Sequence, residues 1–374
     1  MKFLHLHSSF HAGGKELRAA QLMNAFGPGV SHTVVSAQPD AYGAAAAVSD
    51  QIDATYPDDF PALTGRPTLG RLQRLAKAMR GHDLILTYNW GAMDAVMAHT
   101  LFGQHFGLAP LIHHEDGFNS DEAGGLKRSR NWYRRIALGR AAALVVPSRR
   151  LEAIAVEAWH QPRGRVHRVV NGIPTAAYGK KPRSDALPRV IKQKDEFWLG
   201  TLAGLRPVKQ LTRLVRAFAP LPDHWQLVIL GQGPERDAIR AEAIRLDIGH
   251  RVHLPGFVAD PAKVVGLFDL FALSSESEQF PVSVIEAMAA GLAVAAPAVG
   301  DVADMVAAEN RDFIVPPGDE TALGEAIGRL AADAGLRARI GAANRTKARA
   351  EYDEAAMVAA YRALYRRVLG GAKF

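Results

Sequence analysis

The sequence predicts an α/β protein with two parallel-sheet domains, and three observations support this prediction. Short apolar strands alternate with amphipathic helices throughout the 374 residues, a pattern that produces a parallel sheet with helices on both faces. A chain of this length exceeds the size at which a single core stops growing, so two domains are expected. The hydrophobic fraction of 48% supplies enough apolar side chains for two cores.

The strand candidates form two sets that are separated by one irregular segment. The first set contains residues 3–7, 32–37, 83–88, 110–114, 143–148 and 166–170, and the second contains 197–203, 226–230, 251–254, 270–273, 293–297 and 313–315. Residues 175–196 are rich in Pro, Lys and Arg and lack helical or strand periodicity, so they contain the predicted linker. We therefore expect an N-terminal domain at 1–175 and a C-terminal domain at 195–353. Helical spacing in the tail predicts a final helix within 354–374.

Composition narrows the class of protein. A net charge of +7 and a pI of 9.6 favour an acidic partner, such as nucleic acid, an anionic membrane or a phosphorylated substrate. The absence of cysteine excludes disulfides and thiolate chemistry and fits a reducing compartment. The first residues lack a charged leader and a cleavage site, and no uncharged run approaches the ~20 residues of a membrane span. A cytoplasmic protein is expected.

The segment 274–292 is the most informative about function. Glu278 and Glu286 stand on either side of a predicted helix start at Pro281. No Ser, Thr, Asp or Asn immediately precedes Pro281 to cap this helix, so its first N–H groups are available to an anion. Carboxylates beside a bound diphosphate are good acceptors for sugar hydroxyls. The combination indicates a nucleotide-sugar site; two solvated glutamates are the alternative.

A second element suited to phosphate lies upstream, at residues 197–211. An apolar strand leads into a loop with Arg206 and Lys209, and an amphipathic helix begins at Leu211. Ligands of open parallel sheets bind beyond the carboxyl ends of the strands. We therefore expect these two cations and the uncapped helix start to lie in the same crevice.

Together these residues resemble the retaining glycosyltransferases of family 4, and the resemblance covers nearly the whole chain. It is supported by the paired glutamates, by Lys209 and by three short motifs: Asn171-Gly172, Gly231-x-Gly233-Pro234 and Pro255-Gly256-Phe257-Val258. The resemblance implies the GT-B fold, with two Rossmann-like parallel-sheet domains that face a central cleft. It also implies that the helix in 354–374 crosses back to the N-terminal domain.

The resemblance implies transfer of a sugar from a nucleotide diphosphate sugar, expected to be a UDP-sugar, with retention at the anomeric carbon by front-face attack. Lys209, Arg206 and the amides of Gln279 and Phe280 would hold the diphosphate, while Glu278 would contact the sugar and Glu286 the ribose. Glu278, His113 and Lys209 are the candidate catalytic residues. The remaining donor-binding candidates are Val282, Phe257, Val258 and Gly14.

The chain departs from the family pattern in two places. The usual Gly-Arg-Leu reads Ala203-Gly204-Leu205, so the arginine that contacts the diphosphate is missing, and Arg206 is its candidate replacement. The residues after the first glutamate, often Gly-Phe-Gly, are Gln279-Phe280-Pro281. Since proline has no N–H group, one donor to the ligand is absent.

Two loops of the first domain are further candidates. Gly13 and Gly14 follow the first strand and would allow close approach of the backbone to a ligand, although an ordinary tight turn is the alternative. After the fourth strand, His113 is expected to face the sugar, while His114, Glu115 and Asp116 are the candidate acceptor-binding residues. A buried histidine is the alternative for either His. Because the chain has no Asp-x-Asp, we expect no metal and no other cofactor.

The segment 127–135 combines five cations with Trp132 and Tyr133. This composition on an amphipathic helix predicts contact with an anionic membrane, and the alternative is a solvated helix with its tryptophan in the core. A lipid, lipid-linked or saccharide acceptor is expected, as in bacterial glycan or glycolipid biosynthesis, at the inner face of the cytoplasmic membrane.

Other functions stay open at this point. A UDP-sugar epimerase of the same architecture would bind the same donor, and a phosphorylase-like enzyme would need pyridoxal phosphate and a longer chain. A non-catalytic protein that binds nucleic acid or another anion would account for the charge. It would not account for the paired glutamates beside an uncapped helix, so no nucleic-acid partner is expected. The motifs do not distinguish UDP from GDP or ADP, nor do they identify the sugar or the linkage.

Overall fold

A computed structural model of the protein describes residues 1–118, 122 and 125–374. It contains two compact units. Unit 1 comprises Met1–Asn171 and Met357–Phe374, and unit 2 comprises Gly172–Ala356. Each unit is built around one parallel sheet with helices against it, which confirms the predicted α/β class.

The sheet of unit 1 has seven strands in the order β3-β2-β1-β4-β5-β6-β7. The strands are β1 (Lys2–His7), β2 (Ser31–Ser36), β3 (Ala54–Thr55), β4 (Leu84–Tyr88), β5 (Leu111–His114), β6 (Ala143–Val146) and β7 (Val166–Arg168). The helices are α1 (Gly14–Phe26), α2 (Leu69–Ala78), α3 (Met93–Phe106), α4 (Arg128–Ala137) and α5 (Arg149–Glu157). The short strand β3 was not predicted from the sequence.

Both faces of this sheet are covered, which explains why its strands are apolar on both sides. Along β4, Leu84 and Leu86 pack into a core with α1, whereas Ile85 between them packs into a second core with α2 and α3. The first core also contains Tyr361 and Tyr365 of the last helix, α12 (Glu354–Val368). Residues 357–374 therefore complete the hydrophobic core of unit 1.

The sheet of unit 2 has six strands in the order β10-β9-β8-β11-β12-β13. The strands are β8 (Phe197–Leu202), β9 (Trp225–Leu230), β10 (Val252–Gly256), β11 (Leu270–Ala272), β12 (Val294–Pro297) and β13 (Ile314–Val315). The helices are α6 (Leu211–Phe218), α7 (Arg236–Arg245), α8 (Val282–Ala290), α9 (Val302–Met305), α10 (Glu320–Ala332) and α11 (Ala334–Glu351).

The strand order reverses once in each sheet, and each reversal marks a place where a ligand can bind. The chain of unit 1 runs outward from β1 to β3 and then returns to β4 on the other side of β1. The chain of unit 2 runs from β8 to β10 and returns to β11 beside β8. The loops after two such neighbouring strands diverge and leave a crevice at their carboxyl ends. The residues predicted to bind diphosphate follow β8 and β11.

Candidate active site

The loops after β8, β9 and β10 interlock at the carboxyl edge of the unit 2 sheet. The amide of Leu205 donates to the Gln232 carbonyl at 2.9 Å, and the amide of Gly231 donates to the Gly256 carbonyl at 2.9 Å. Gly231 has φ +150°, and a Cβ atom there would lie 1.9 Å from the carbonyl oxygen of Ala203. The Gly-x-Gly motif therefore lets the β9 loop lie directly against the β8 loop.

The loop after β11 is fixed to the loop after β8, as expected of a shared crevice. The Ser274 hydroxyl donates to the Lys209 carbonyl at 2.8 Å, and the Glu276 amide donates to the Val208 carbonyl at 2.9 Å. These contacts hold the Lys209 side chain beside the segment that carries Glu278.

Lys209 and Glu278 form an ion pair, which the sequence did not predict. Lys209 Nζ lies 2.5 Å from Glu278 Oε1, and the Ser275 hydroxyl donates to the same oxygen at 2.7 Å. Both side chains are largely buried, with exposed fractions of 15% and 12%. Because an ammonium group has three donors, Lys209 can keep this contact and still donate to a bound anion.

Helix α8 begins at Val282, so Pro281 is its N-cap residue and not its first helical residue, a correction of one position. No side chain caps this end of α8, as predicted. The backbone that leads into α8 is held by a later segment of the chain, because the Asp301 amide donates to the Gln279 carbonyl at 3.1 Å. The Phe280 ring is buried edge-on against Tyr352, with 5.7 Å between ring centroids.

The second glutamate has a partner that sequence reasoning missed. Tyr178 is buried, and its hydroxyl donates to Glu286 Oε1 at 2.9 Å. Burial raises the pKa of Glu286 to about 7, against the opposing effect of the hydrogen bond from Tyr178. Tyr178 lies in a short 3-10 turn, Thr175–Gly179, at the start of the predicted linker. The sequence signal that could have identified Tyr178 is its aromatic side chain within that basic stretch.

Arg206 lies beside the position where the resembling enzymes have their arginine. Its backbone leads into the short 3-10 turn Pro207–Lys209, and the residue is exposed. A Cβ atom at Gly204 would lie 3.4 Å from Arg206 Nε. The guanidinium of Arg206 therefore lies next to the space that an arginine side chain at 204 would enter.

The remaining donor-binding candidates are accessible to solvent and lie on other loops than Lys209 and Glu278. Phe257 is 56% exposed and Val258 is half-buried, on the loop after β10. In unit 1, α1 begins at the exposed Gly14 without a side-chain cap, and a Cβ atom at Gly14 would meet nothing within 4 Å. Burial lowers the pKa of Lys15 in the first turn to about 8.

The structure places His114 in the core of unit 1. Its Nε2 lies 2.9 Å from the Tyr365 hydroxyl, its Nδ1 lies 3.2 Å from the Thr87 carbonyl, and its ring stacks on Tyr88. Burial lowers the pKa of His114 to about 3, so the ring is neutral. The alternative of a buried histidine therefore describes His114 in this structure, because α12 covers it, which the sequence did not show.

His113 and Glu115 are also fully buried. His113 Nδ1 lies 2.8 Å from the Thr87 hydroxyl, and Glu115 Oε2 lies 3.4 Å from Arg134 Nε. Neither carboxylate oxygen of Glu115 accepts a hydrogen bond from the residues that the structure describes. The alternative of a buried histidine also describes His113 in this structure, and the acceptor role of Glu115 stays a prediction.

Asp116 is held by a buried arginine. Arg18 of α1 donates to both of its carboxylate oxygens, at 2.5 and 2.8 Å, and to the Asn171 side chain at 2.8 Å. Burial alone would raise the pKa of Asp116, but the Arg18 guanidinium outweighs this effect and lowers it. The Asn171-Gly172 step is thereby tied to the loop after β5.

Helix α4 divides the predicted membrane segment into a buried face and an exposed face. Arg134 is fully buried and donates to Glu122 twice at 3.1 Å, and Arg130 donates to Glu122 at 2.8 Å. On the other face, Trp132 is 64% exposed and Ile136 is 45% exposed. The alternative of a tryptophan anchored in the core is therefore wrong.

Among residues 1–118, 122 and 125–374, no group of His, Asp or Glu side chains could hold a metal ion. In the same part of the chain, every helix is too short or too polar to span a membrane.

Two family profiles match adjacent parts of the chain. Residues 12–177 match the family described as Glycosyltransferase Family 4, and residues 184–347 match Glycosyl transferases group 1. The chain is 26% identical over 211 residues to N-acetyl-alpha-D-glucosaminyl L-malate synthase of Bacillus anthracis, covering 56% of this chain and 55% of that one. It is 28% identical over 298 residues to a GDP-mannose-dependent alpha-mannosyltransferase of Mycolicibacterium smegmatis, covering 76% of this chain and 74% of that one. The chain spans about half the length of several curated relatives, and a fifth of one.

The fold also matches a solved structure. HepE of Anabaena in complex with UDP superimposes with a TM-score of 0.80 at 21% identity, covering 99% of this chain and 100% of that one. At this identity the match concerns the fold alone, and it confirms the GT-B class that the sequence predicted.

Proposed function

The chain belongs to the family 4 glycosyltransferases, and on this premise we propose that it transfers a sugar from a nucleotide diphosphate sugar to an acceptor hydroxyl. The observation that supports this most directly is the juxtaposition of Lys209, Glu278 and the uncapped start of α8 at the carboxyl edge of the unit 2 sheet. A cation and a helix start attract a diphosphate, while a carboxylate accepts hydrogen bonds from sugar hydroxyls.

The diphosphate is held by Lys209, by Arg206 and by the amides that lead into α8. Arg206 supplies the second positive charge, since its guanidinium lies beside Gly204. Preorganised cations of this kind stabilise the charge that develops on a leaving diphosphate. The site needs no divalent metal ion, because two protein cations perform this role.

Glu278 orients the transferred sugar, and Glu286 accepts hydrogen bonds from the ribose with Tyr178 behind it. Phe257 and Val258 contact the nucleobase. We propose UDP as the nucleotide, in line with the UDP complex of HepE; the relative named for GDP-mannose makes GDP the competing choice. During transfer, the bond from the anomeric carbon to the diphosphate breaks and the acceptor oxygen bonds on the same face. Because the new bond forms on the face that the diphosphate leaves, the configuration is retained, and the leaving phosphate takes the acceptor proton.

The decisive experiment measures binding and turnover separately. Calorimetry with UDP and GDP tests the nucleotide, and Lys209→Ala should weaken binding of the preferred one at least tenfold. Nucleotide release from a UDP-sugar is then measured with and without saccharide and lipid-linked acceptors. Release that depends on an acceptor supports a transferase. Conversion of the UDP-sugar without release of UDP would establish the epimerase instead.

The exposed face of α4 supports a lipid or lipid-linked acceptor at an anionic membrane. Trp132 and Ile136 are one helical turn apart and both exposed, with the exposed cations Arg128 and Arg135 beside them. Aromatic and aliphatic side chains flanked by cations are typical of helices that lie in a membrane interface. Arg130 and Arg134, which the sequence grouped with them, are instead paired with Glu122.

Vesicle sedimentation tests this attachment. Vesicles with phosphatidylglycerol should retain the protein, and vesicles of phosphatidylcholine alone should not. The double substitution Arg128→Glu and Arg135→Glu should release it. The matched control changes the same charge at two exposed residues of unit 2, Arg240→Glu and Lys194→Glu. Equal release by both pairs would indicate a general charge effect and not a binding face.

A further inference from the structure

Unit 1 contains a pocket of about 320 Å³ that is lined by none of the predicted donor- or acceptor-binding residues. It lies beyond the carboxyl end of β4, next to the reversal of strand order at β1 and β4. Its walls come from the segment before α2, from the start of α3 and from α4, and include Leu63, Pro67, Trp90, Asp94, Arg130 and Tyr133. A volume near the lower limit for ligand pockets suits one ring-sized group and not a polymer.

The pocket wall includes the Asp94 carboxylate, which can accept further hydrogen bonds. Tyr133 donates to Asp94 Oδ1 at 2.7 Å, and Arg71 donates to Asp94 Oδ2 at 2.6 Å. An ionised carboxylate has about four acceptor positions, so each oxygen of Asp94 can accept one more hydrogen bond. Two further hydroxyl donors can therefore be accommodated without displacing either protein partner.

The charged side chains of the wall already have partners of opposite charge. Asp94 is paired with Arg71, and Arg130 is paired with Glu122 at 2.8 Å. A bare anion such as phosphate in this pocket would lie close to the Asp94 carboxylate, whose negative charge repels it. The pocket consequently favours an uncharged ligand that donates hydrogen bonds.

Another part of the wall is aromatic. Trp90 and Tyr133 meet edge to face, with ring centroids 5.7 Å apart. Arg130 and Arg134 lie over the Trp90 ring at 4.7 and 4.9 Å and fix its position. Aromatic rings beside a hydrogen-bonding carboxylate are complementary to a pyranose, which has C–H groups on its faces and hydroxyls on its rim.

We propose that this pocket binds an uncharged sugar ring of the acceptor. The inference rests on the proposed function, because a transferase needs a site for its second substrate. It assigns that role to Trp90, Asp94 and Tyr133, in place of the buried His114 and Glu115. Asp94 then binds acceptor hydroxyls and takes no part in the bonds made or broken.

Saturation-transfer NMR on the full chain tests the pocket without knowledge of the natural acceptor. The probes are methyl glycosides of glucose, galactose, mannose and N-acetylglucosamine at millimolar concentration, with inorganic phosphate as competitor. At least one glycoside should receive saturation, and phosphate should not displace it. No signal from any glycoside, or displacement by phosphate, would overturn the proposal.

Two substitutions locate the signal. Ser129 lies at the exposed start of α4 and lines the pocket, so Ser129→Trp should obstruct it and weaken glycoside binding at least tenfold. Ser129→Ala, at the same position, should leave binding within twofold. Asp94→Asn should also weaken binding, but it disturbs the contact with Arg71, and Ser129→Trp is therefore the primary variant. An unchanged signal in Ser129→Trp would overturn the assignment.

UDP binding, measured on the same variants, separates this proposal from the proposed function. We expect UDP affinity within twofold of the native protein for Ser129→Trp. Failure of the native protein to bind any nucleotide would contradict the proposed function. The proposal for the pocket is tested by the glycoside signal alone.

Discussion

Removal of the Tyr178 hydroxyl should change how nucleotide binding depends on pH. Burial raises the pKa of Glu286 to about 7, and the hydrogen bond from Tyr178 opposes that rise. If the Glu286 carboxylate accepts hydrogen bonds from the ribose, protonation competes with the nucleotide. Affinity for the nucleotide is then highest at pH values above the pKa of Glu286, and it declines as the pH falls through that pKa. For one group with a pKa of about 7, the dissociation constant should rise about tenfold between pH 8 and pH 6.

Tyr178→Phe keeps the ring and deletes the hydrogen bond. A hydrogen bond to a charged group is worth about 1.5–3 kcal/mol, and one pKa unit corresponds to about 1.4 kcal/mol. The pKa of Glu286 should therefore rise by roughly one to two units in this variant. Relative to the native protein, affinity should be about two- to tenfold weaker at pH 8 and about ten- to a hundredfold weaker at pH 6.

Calorimetry with UDP-glucose across pH 5.5–9 measures this effect. UDP-glucose is preferable to UDP, because it lacks the terminal phosphate proton that titrates near pH 6. Glu286→Gln is the control, and its affinity should not depend on pH in this range. A constant ratio between the native protein and Tyr178→Phe at every pH would refute the reasoning. It would show that Tyr178 contributes a contact to binding and does not act through the pKa of Glu286.

Three further outcomes are expected. Arg206→Ala should slow turnover by an amount that corresponds to about 2–4 kcal/mol, and adding Gly204→Arg to that variant should restore part of the rate; near-normal kinetics of Arg206→Ala would show a solvated side chain. Exhaustive chelation should leave turnover unchanged, whereas loss of activity that magnesium or manganese restores would contradict metal independence. Glu278→Ala should reduce turnover and leave UDP affinity equal or higher, because Lys209 loses its carboxylate partner, while Glu286→Ala should mainly weaken UDP binding; equal losses of UDP affinity would contradict this division.

Local patterns were sufficient for much of the donor side of the site. Strand-to-loop transitions located the loops after β8 and β11, and the missing capping residue before Pro281 identified the uncapped helix. Gly231 and Gly233 were recognised as a motif, and the structure supplies the cause, since any side chain at either position would overlap the backbone of residues 203–205. These features depend on residues close together in the sequence, which is why sequence reasoning found them.

Contacts between distant residues could not be predicted in this way. Lys209 and Glu278 are 69 positions apart, and each was assigned to a ligand and not to the other. His114 and Tyr365 are 251 positions apart, so nothing near His114 indicated that α12 would cover it. Helical spacing could have separated the two faces of α4, because Arg130 and Arg134 share one face while Trp132 and Ile136 share another.

The position of α12 in the core of unit 1 has a consequence for the order in which the protein folds. Phe3 of the first strand packs edge-on against Tyr365, with ring centroids 6.3 Å apart. Synthesis at 5–20 residues per second separates Asn171 from Tyr365 by roughly ten to forty seconds. During that interval unit 2 is completed, while the face of the first sheet that packs against α1 still lacks α12. Synthesis thus begins unit 1 before unit 2 and completes it afterwards, and a ribosome that stalls before residues 357–374 emerge leaves a folded unit 2 attached to a first sheet with one face incompletely covered.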